Sequence, residues 1–414
     1  MKKASGERPR HIAMDQFQVR DNCLLVGDIP LPRLAHRVGQ TPFYAYDRQI
    51  MTQRVETLNR RLPDEVSLHY AVKANPMPAV VQHMSRLTNG LDVASLREMR
   101  TALDTGTPPN KISFAGPGKA DIELRAAIAA SVIINAESAA EVARIARLGD
   151  SLSIRPRVAI RVNPDFQLKT SGMKMSGGPK PFGVDAEQVP ALLRRMKSYE
   201  LDFQGFHIFS GSQNLRPESI IEAQTQTLDL ATRLADDAPS PVKWLNLGGG
   251  FGIPYFPGDQ RLDLQPIADN LANLVREYRP RLPEAEFVIE LGRYLVGEAG
   301  IYVCEVIDVK ESRGETFAVT NGGLHHHLSA SGNFGQLIRK NYPVCIGNRV
   351  TGADTGPVNV VGPLCTPLDI LADKYSLPRV DVGDLIVVFQ SGAYGYTASP
   401  QDFLSHPEPI EVLV

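Results

Sequence analysis

Apolar and polar positions along this chain change period repeatedly, from two to about 3.6 and back. In "VSLHYAVKA" (66–74), Val66, Leu68, Tyr70 and Val72 alternate with polar or small residues, which predicts a strand. Asn75-Pro76 breaks the run, and "MPAVVQHMSRL" resumes at helical spacing. The same cadence returns at "GLDVAS" (90–95), "KISFAG" (111–116), "SVIINAES" (131–138) and "RVAIRVNP" (157–164). It continues at "LDFQGFHIFSGS" (201–212), "WLNLGGGF" (244–251) and "EFVIELGRYLV" (286–296). Helical patterns such as "SLREMRTALDTG", "SAAEVARIARLG", "AEQVPALLRRMKS" and "IADNLANLVREYRPRL" stand between them. Eight strand–helix alternations with short connections predict an α/β fold whose parallel units close into a (β/α)8 TIM barrel over residues 41–300. A doubly wound open sheet is the alternative, but no GxGxxG opens the first unit.

Past residue 300 the texture changes. "IYVCEVIDVKES", "TFAVTNGG", "PVNVVGP" and "DLIVVFQSG" are short β-type runs punctuated by Gly and Pro, which predict a C-terminal β domain over 301–414. The stretch "NCLLVGDIPLPRLAHRVGQTPFYAYD" is also strand-like, so residues 1–40 are expected to contribute strands to that domain. The Gly- and Lys-rich segment "SGMKMSGGPK" (171–180) reads either as a surface loop or as a mobile lid.

Composition narrows the function classes. The 414 residues are 43% hydrophobic and 22% charged, and 44 basic against 46 acidic residues leave a net charge of −2. That balance gives no reason to expect nucleic acid or a membrane as partner. Cys23, Cys304, Cys345 and Cys365 form no CxxC pair, which argues against a disulfide framework or a structural zinc site. With no apolar segment at the N-terminus and no apolar run of membrane-spanning length, the expected location is the cytoplasm.

Lys73, inside an apolar run, has two readings: a lysine snorkelling from a strand end, or an amine in a partly dry site, lowered in pKa to form a Schiff base. In such barrels the chemistry gathers at the carboxyl ends of the strands. Those ends carry Lys73, Asp92 and Ser95, Arg161 and Asn163, His207 and Phe209 with Gly211-Ser212, Gly248-Gly249-Gly250, and Glu290 with Gly292-Arg293. A glycine triplet ahead of a helix N-terminus lets backbone N–H groups approach an anion, Ser212 adds a hydroxyl and Arg293 a charge. Singly these are turn glycines and a surface arginine; on consecutive strands six, seven and eight they predict a phosphate site. Amine, phosphate cradle and carboxylate together match what pyridoxal 5'-phosphate requires, with Glu290 keeping the pyridine nitrogen protonated.

"YAVKANP", "LDVAS", "RVNP", "GSQ", "NLGGGFGIPY", "ELGRYLV", "VGPLCTPLD" and "SGAYGY" occur in this order from about Asn22 to Val414. The series resembles the fold-type III pyridoxal phosphate decarboxylases, the ornithine/diaminopimelate/arginine decarboxylase group. The resemblance implies an alanine-racemase-like barrel plus a C-terminal β domain, assembled as a head-to-tail homodimer with shared active sites. It implies Lys73 for the Schiff base, Glu290 at the pyridine nitrogen, and Gly249, Gly250, Arg293, Ser212 and Tyr394 near the phosphate. It further implies that Cys365, supplied by the partner subunit, protonates the substrate carbon after carbon dioxide leaves; a buried small hydrophobe is the plainer reading of that cysteine.

Four departures bear on substrate. The group usually has "HxHIGS" on strand six; here "GFHIFSGS" puts Phe209 in the ring-stacking place and His207 two residues earlier, either a cofactor contact or a core histidine. The acid that normally follows the cysteine and receives a distal amine is Thr366, with Asp369 as a possible replacement. The "RPxLY"-like segment of diaminopimelate enzymes is replaced by "NGGLHHHLSASGNFGQLIRKNYPV", which offers Arg339 and Tyr342 at another spacing. Its three histidines, read as a strand, would point to alternate faces, so no metal is expected. "ELGR" for "EPGR" and "PKPFG" for "SKFG" are backbone details.

These variant motifs look most like the decarboxylase subgroup associated with exosortase and exopolysaccharide systems. That resemblance implies a small amino-acid-like substrate, free or presented by a carrier protein, converted to an amine. The alternatives are diaminopimelate decarboxylase, against which Thr366 counts, a racemase, against which Glu290 counts, and a non-catalytic relative, against which the presence of both Lys73 and Cys365 counts.

Overall fold

The computed structural model describes residues 9–166, 173–174 and 177–414. They divide into two compact units, one of Thr52–Gly252 and Leu262–Leu295, the other of the described residues up to Met51 with Ile253–Arg261 and Val296–Val414.

The first unit holds β1 (Val66–Ala71), β2 (Gly90–Val93), β3 (Ile112–Phe114), β4 (Ile133–Ala136), β5 (Arg157–Asn163), β6 (Asp202–Ile208), β7 (Trp244–Gly249) and β8 (Glu286–Leu291). Each pairs in parallel with the next, and β8 pairs back onto β1. The ring is closed, so the open-sheet alternative falls. Helices form where the pattern places them and are capped locally: Ser95 accepts from Glu98 N–H and Ser138 from Glu141 N–H. Ser95 is thereby a helix cap rather than a site residue. The sixth strand is shorter than its sequence run, because Gly211–Ser212 pairs antiparallel with Met173–Lys174 instead of continuing it. Of the 171–180 segment, residues 171, 172, 175 and 176 lie outside the described residues, and the lid reading falls on them.

The inward face of the barrel changes character along the strands. Ile133, Ala159, Trp244 and Val288 form one apolar layer. Two residues further along the same four strands stand Asn135, Arg161, Asn246 and Glu290, all buried. The period of two that directs side chains inward thus stacks a polar layer on an apolar one, towards the carboxyl ends.

In the second unit the long strand Gly300–Ser312 pairs antiparallel with Glu315–Thr320, Leu385–Val388 and Phe43–Tyr46. Phe43–Tyr46 also takes Ile410–Leu413 in parallel. Leu31, Phe43, Ala45, Ile301, Val303 and Val387 pack in its core. The strand entering this sheet from the N-terminal part is Phe43–Tyr46, past residue 40, while the strands within 19–30 make a separate three-stranded sheet. Among the described residues no helix is long and apolar enough to cross a membrane.

Candidate active site

β1 ends at Ala71, and Lys73 sits in the 3-10 turn Val72–Ala74 that follows. Val72 and Ala74 are buried and anchor the turn, whereas Lys73 is exposed. The turn holds the Lys73 side chain at the mouth of the barrel, where its charge reaches Glu290. It is not a loose surface lysine: its ammonium lies 5.5 Å from the Phe209 ring centroid, within cation–π range. Phe209 follows β6 directly, so the aromatic and the amine share the mouth of the barrel.

His207 lies one inward position deeper on β6, 2% exposed, with Nε2 3.1 Å from Glu290 Oε2. The contact is a close approach rather than an aligned hydrogen bond, since neither ring nitrogen has a hydrogen-bonded partner. Asn246 Nδ2 donates to the same Oε2 at 2.9 Å. Burial alone raises the Glu290 pKa, but His207, then Lys73 and Arg161, more than offset it and hold the carboxyl well below the ordinary carboxylate range. Glu290 is thus an ionised, buried carboxylate. The two ring-bearing residues separated by Ile208 have different neighbours: His207, on β6, lies against Glu290, and Phe209, just past the strand, faces Lys73.

Gly248–Gly250 closes β7. Gly250 has φ +77°, and a Cβ there would fall on the Gly211 carbonyl oxygen; a Cβ on Gly249 would fall on that of Glu290. The turn therefore presses against Gly211-Ser212 on one side and β8 on the other, and no side chain fits at Gly249 or Gly250 without displacing a backbone carbonyl. One expectation fails here. No helix follows the triplet directly, since the next one starts at Gln265. The prolines of "FGIPYFPGDQ" prevent helix, and residues 253–261 leave the barrel unit. Anion donors at this turn are loop amides, without a helix dipole behind them. Arg293, after Gly292, opens the short helix Arg293–Val296.

Asp92 and Arg161 are both drawn into buried networks. Asp92 Oδ1 accepts from Ser113 Oγ and lies 3.3 Å from His69 Nδ1. Arg161 Nη1 donates to Glu137 Oε1 at 2.9 Å, and Glu137 also accepts from Gly116 and Gly183 N–H. Burial opposes the Glu137 charge, but Arg161 and Lys119 outweigh it and keep its pKa below the usual value. Lys119, almost wholly buried, pairs with Glu141 at 3.0 Å. His69, Lys119, Glu137 and Asn246 were not sequence candidates. Two of them carried a legible signal, a polar residue inside an otherwise mostly apolar strand run: His69 in Val66–Ala71 and Asn246 in Trp244–Gly249. Glu137 directly follows Ile133–Ala136, and Lys119 lies in the loop after Ile112–Phe114, where spacing gives no signal.

The remaining candidates belong to the β unit. Cys365 is exposed and its thiol is free, and Thr366 follows it half-buried. Asp369 is 2% exposed, its two oxygens accepting from the backbone N–H groups of Leu324 (2.6 Å) and Leu364 (2.8 Å). It ties two loops together and is not free to receive a substrate amine, which corrects its reading as a replacement for the missing acid. Tyr342 packs in an aromatic cluster, 4.7 Å from Tyr255 and 5.7 Å from His327, and Arg339 donates to the Ile370 carbonyl at 2.5 Å. Both bind the protein itself rather than presenting themselves to a substrate. Tyr394 adopts φ +54° and its carbonyl accepts from Ser329. His325, His326 and His327 lie in a turn after Gly322-Gly323, not on a strand as expected. Tyr302 and the Pro407 carbonyl engage His326, and Ser391 engages His327. Among the described residues no three His, Cys, Asp or Glu groups are placed to hold a metal ion.

The barrel residues fit pyridoxal phosphate on three observations: an amine over an aromatic ring at the mouth, a tight glycine turn at a strand end that admits no side chain, and a buried carboxylate held ionised. Comparisons with known proteins agree. Residues 48–297 match the family described as pyridoxal-dependent decarboxylase, pyridoxal binding domain. The L-glutamyl-[BtrI acyl-carrier protein] decarboxylase of Niallia circulans is 37% identical over 380 residues, covering 90% of this chain and 89% of the relative. The diaminopimelate decarboxylase of Aquifex aeolicus is 31% identical over 401 residues, covering 96% and 92%. The crystal structure of a diaminopimelate decarboxylase mutant from Helicobacter pylori with L-lysine superposes with a TM-score of 0.82 at 27% identity, over 92% of this chain and 93% of that one. Fold, site chemistry and relatives converge: this chain belongs to the pyridoxal-dependent decarboxylases, carboxy-lyases whose cofactor is pyridoxal phosphate.

Proposed function

We propose that the chain decarboxylates an amino acid or amino-acid-like substrate whose far end carries no free ammonium, including one joined to a carrier protein. The observation that carries this reading is the loop around Cys365. Thr366 is neutral, and Asp369, the one carboxylate within four residues, is buried with each oxygen already accepting from a backbone N–H group. A distal ammonium would forgo a charge-assisted bond worth about 1.5–3 kcal/mol. The Niallia circulans relative, named for an L-glutamyl group on an acyl-carrier protein, supports the same reading. The motifs that depart from diaminopimelate enzymes support placing the chain in the exosortase-associated subgroup, and four free cysteines suit a cytoplasmic enzyme.

In this reading pyridoxal phosphate supplies the electron sink for the bond between Cα and the carboxylate. Lys73 would anchor the cofactor, Phe209 would supply the aromatic surface for its ring, and Glu290 would keep the ring nitrogen protonated. Gly249 and Gly250 with Ser212, Arg293 and Tyr394 would hold the phosphate, with Gly248 shaping the turn through its N–H bond to Asn246; Asp92 and Arg161 would act from the networks that fix them. The Cys365 thiol would donate the proton that takes the place of the departing carboxylate at Cα, and the thiolate would be reprotonated from solvent. Cys365 reaches the barrel of a second copy across a homodimer interface; its exposure supports this. The test is Thr366→Asp. Restoring the acid raises kcat/KM for a dibasic amino acid by about tenfold or more; no gain, with cofactor bound as in the parent, removes Thr366 as the determinant.

A further inference from the structure

Asn246 lies on β7, wholly buried. Its side-chain amide is used in both directions. Oδ1 accepts from the Gly248 N–H at 2.8 Å, and Nδ2 donates to Glu290 Oε2 at 2.9 Å. A backbone N–H can only donate and an ionised carboxylate can only accept, so the two bonds fix which end of the amide is which. In the sheet Asn246 stands directly beside His207, and His207 closes on the same Oε2. Asn246 and His207 converge on that one oxygen. Gly248, the other partner of Asn246, has φ +71° and begins the glycine turn.

We infer that Asn246 is a positioning residue that sets the Glu290 carboxylate and the Gly248 turn at one fixed spacing, so that the cofactor's ring nitrogen and its phosphate are gripped together. Asn246 acts through Glu290 and Gly248. The inference rests on pyridoxal phosphate as cofactor and is independent of which substrate is decarboxylated. A group that merely filled a buried polar space would affect stability without coupling the two ends.

The test uses full-length apoprotein and needs no substrate. Trp244, the chain's one tryptophan, is buried on the same strand two residues before Asn246, and its fluorescence reports cofactor binding. Asn246→Leu removes both bonds; Asn246→Asp keeps the acceptor for Gly248 and loses the donor to Glu290. The expected result for Asn246→Leu is a loss of about tenfold or more in pyridoxal phosphate affinity. In a double-mutant cycle with Glu290→Gln that loss shrinks to less than half on a logarithmic scale. Asn246→Asp is expected to weaken pyridoxal phosphate and shift the absorption band of the bound cofactor, while affinity for inorganic phosphate stays within about twofold of the parent, the turn bond being retained. Additive losses in the cycle overturn the inference, as does Asn246→Leu with unchanged affinity. If the leucine variant does not fold, an aspartate variant with parental affinity and band overturns it equally.

Discussion

Asp369 and Glu290 are both buried carboxylates, yet their neighbours give them opposite characters. Glu290 faces His207 and, further off, Lys73 and Arg161, which keep it charged. Asp369 faces two backbone N–H groups, and its burial raises its pKa. This pairing leads to a prediction about stability. Asp369→Asn replaces one acceptor oxygen by an NH2 group that must meet a backbone N–H, leaving that donor unsatisfied. The expected loss is about 1–3 kcal/mol in urea unfolding, with little change in cofactor affinity; an unchanged midpoint would mean the two loops are held by other contacts. Lys73, Glu290 and the glycine turn were legible in the sequence because each sits inside a run whose period marks a strand end. Asp369, Arg339 and Tyr342 were misread because spacing says nothing about burial: their partners, Leu324, Ile370 and Tyr255, are 45, 31 and 87 residues away.

Among the elements, the eight barrel strands were readable because each is a short apolar-rich run set off by a helical pattern, and all but Ile133–Ala136 have a Gly or Pro close to one end. Pairings set over long distances were not. Phe43–Tyr46 sits between Gly300–Ser312 and Ile410–Leu413, contacts that no local pattern encodes. The glycine turn shows a subtler gap, since "GGG" after a strand suggested a following helix and prolines further on forbade it. What makes the turn work is close approach to its neighbours. Gly250→Ala would place a methyl group on the Gly211 carbonyl and force φ +77° on an L-residue. The expected outcome is a folded barrel with pyridoxal phosphate affinity reduced about tenfold or more, given the roughly 1–3 kcal/mol cost of such backbone strain. Undiminished affinity by fluorescence titration would place the phosphate elsewhere.

For the whole chain, the acid sensitivity of the β unit follows from its histidines. Burial lowers His325 to about 3, His326 to about 4 and His327 to about 3, from 6.5. The unfolded chain takes up these protons as pH falls below about 6.5, and the folded chain does not until about 4, so their contribution is intact above 6.5 and lost between those values. Three such groups give a slope approaching about 4 kcal/mol per pH unit near pH 5. Unfolding free energies measured at pH 7, 6 and 5 should fall accordingly; a flat series would contradict the burial of the cluster. The measurement that tests the central claim most directly is carbon dioxide release with mass-spectrometric product detection. Protein loaded with pyridoxal phosphate is offered meso-diaminopimelate, lysine, ornithine, arginine, glutamate and an L-glutamyl thioester of an acyl-carrier protein, with Lys73→Ala as control. The account predicts turnover of the carrier-linked glutamyl group, near silence on the dibasic amino acids, and nothing from the control. Robust turnover of diaminopimelate or another dibasic amino acid would contradict it.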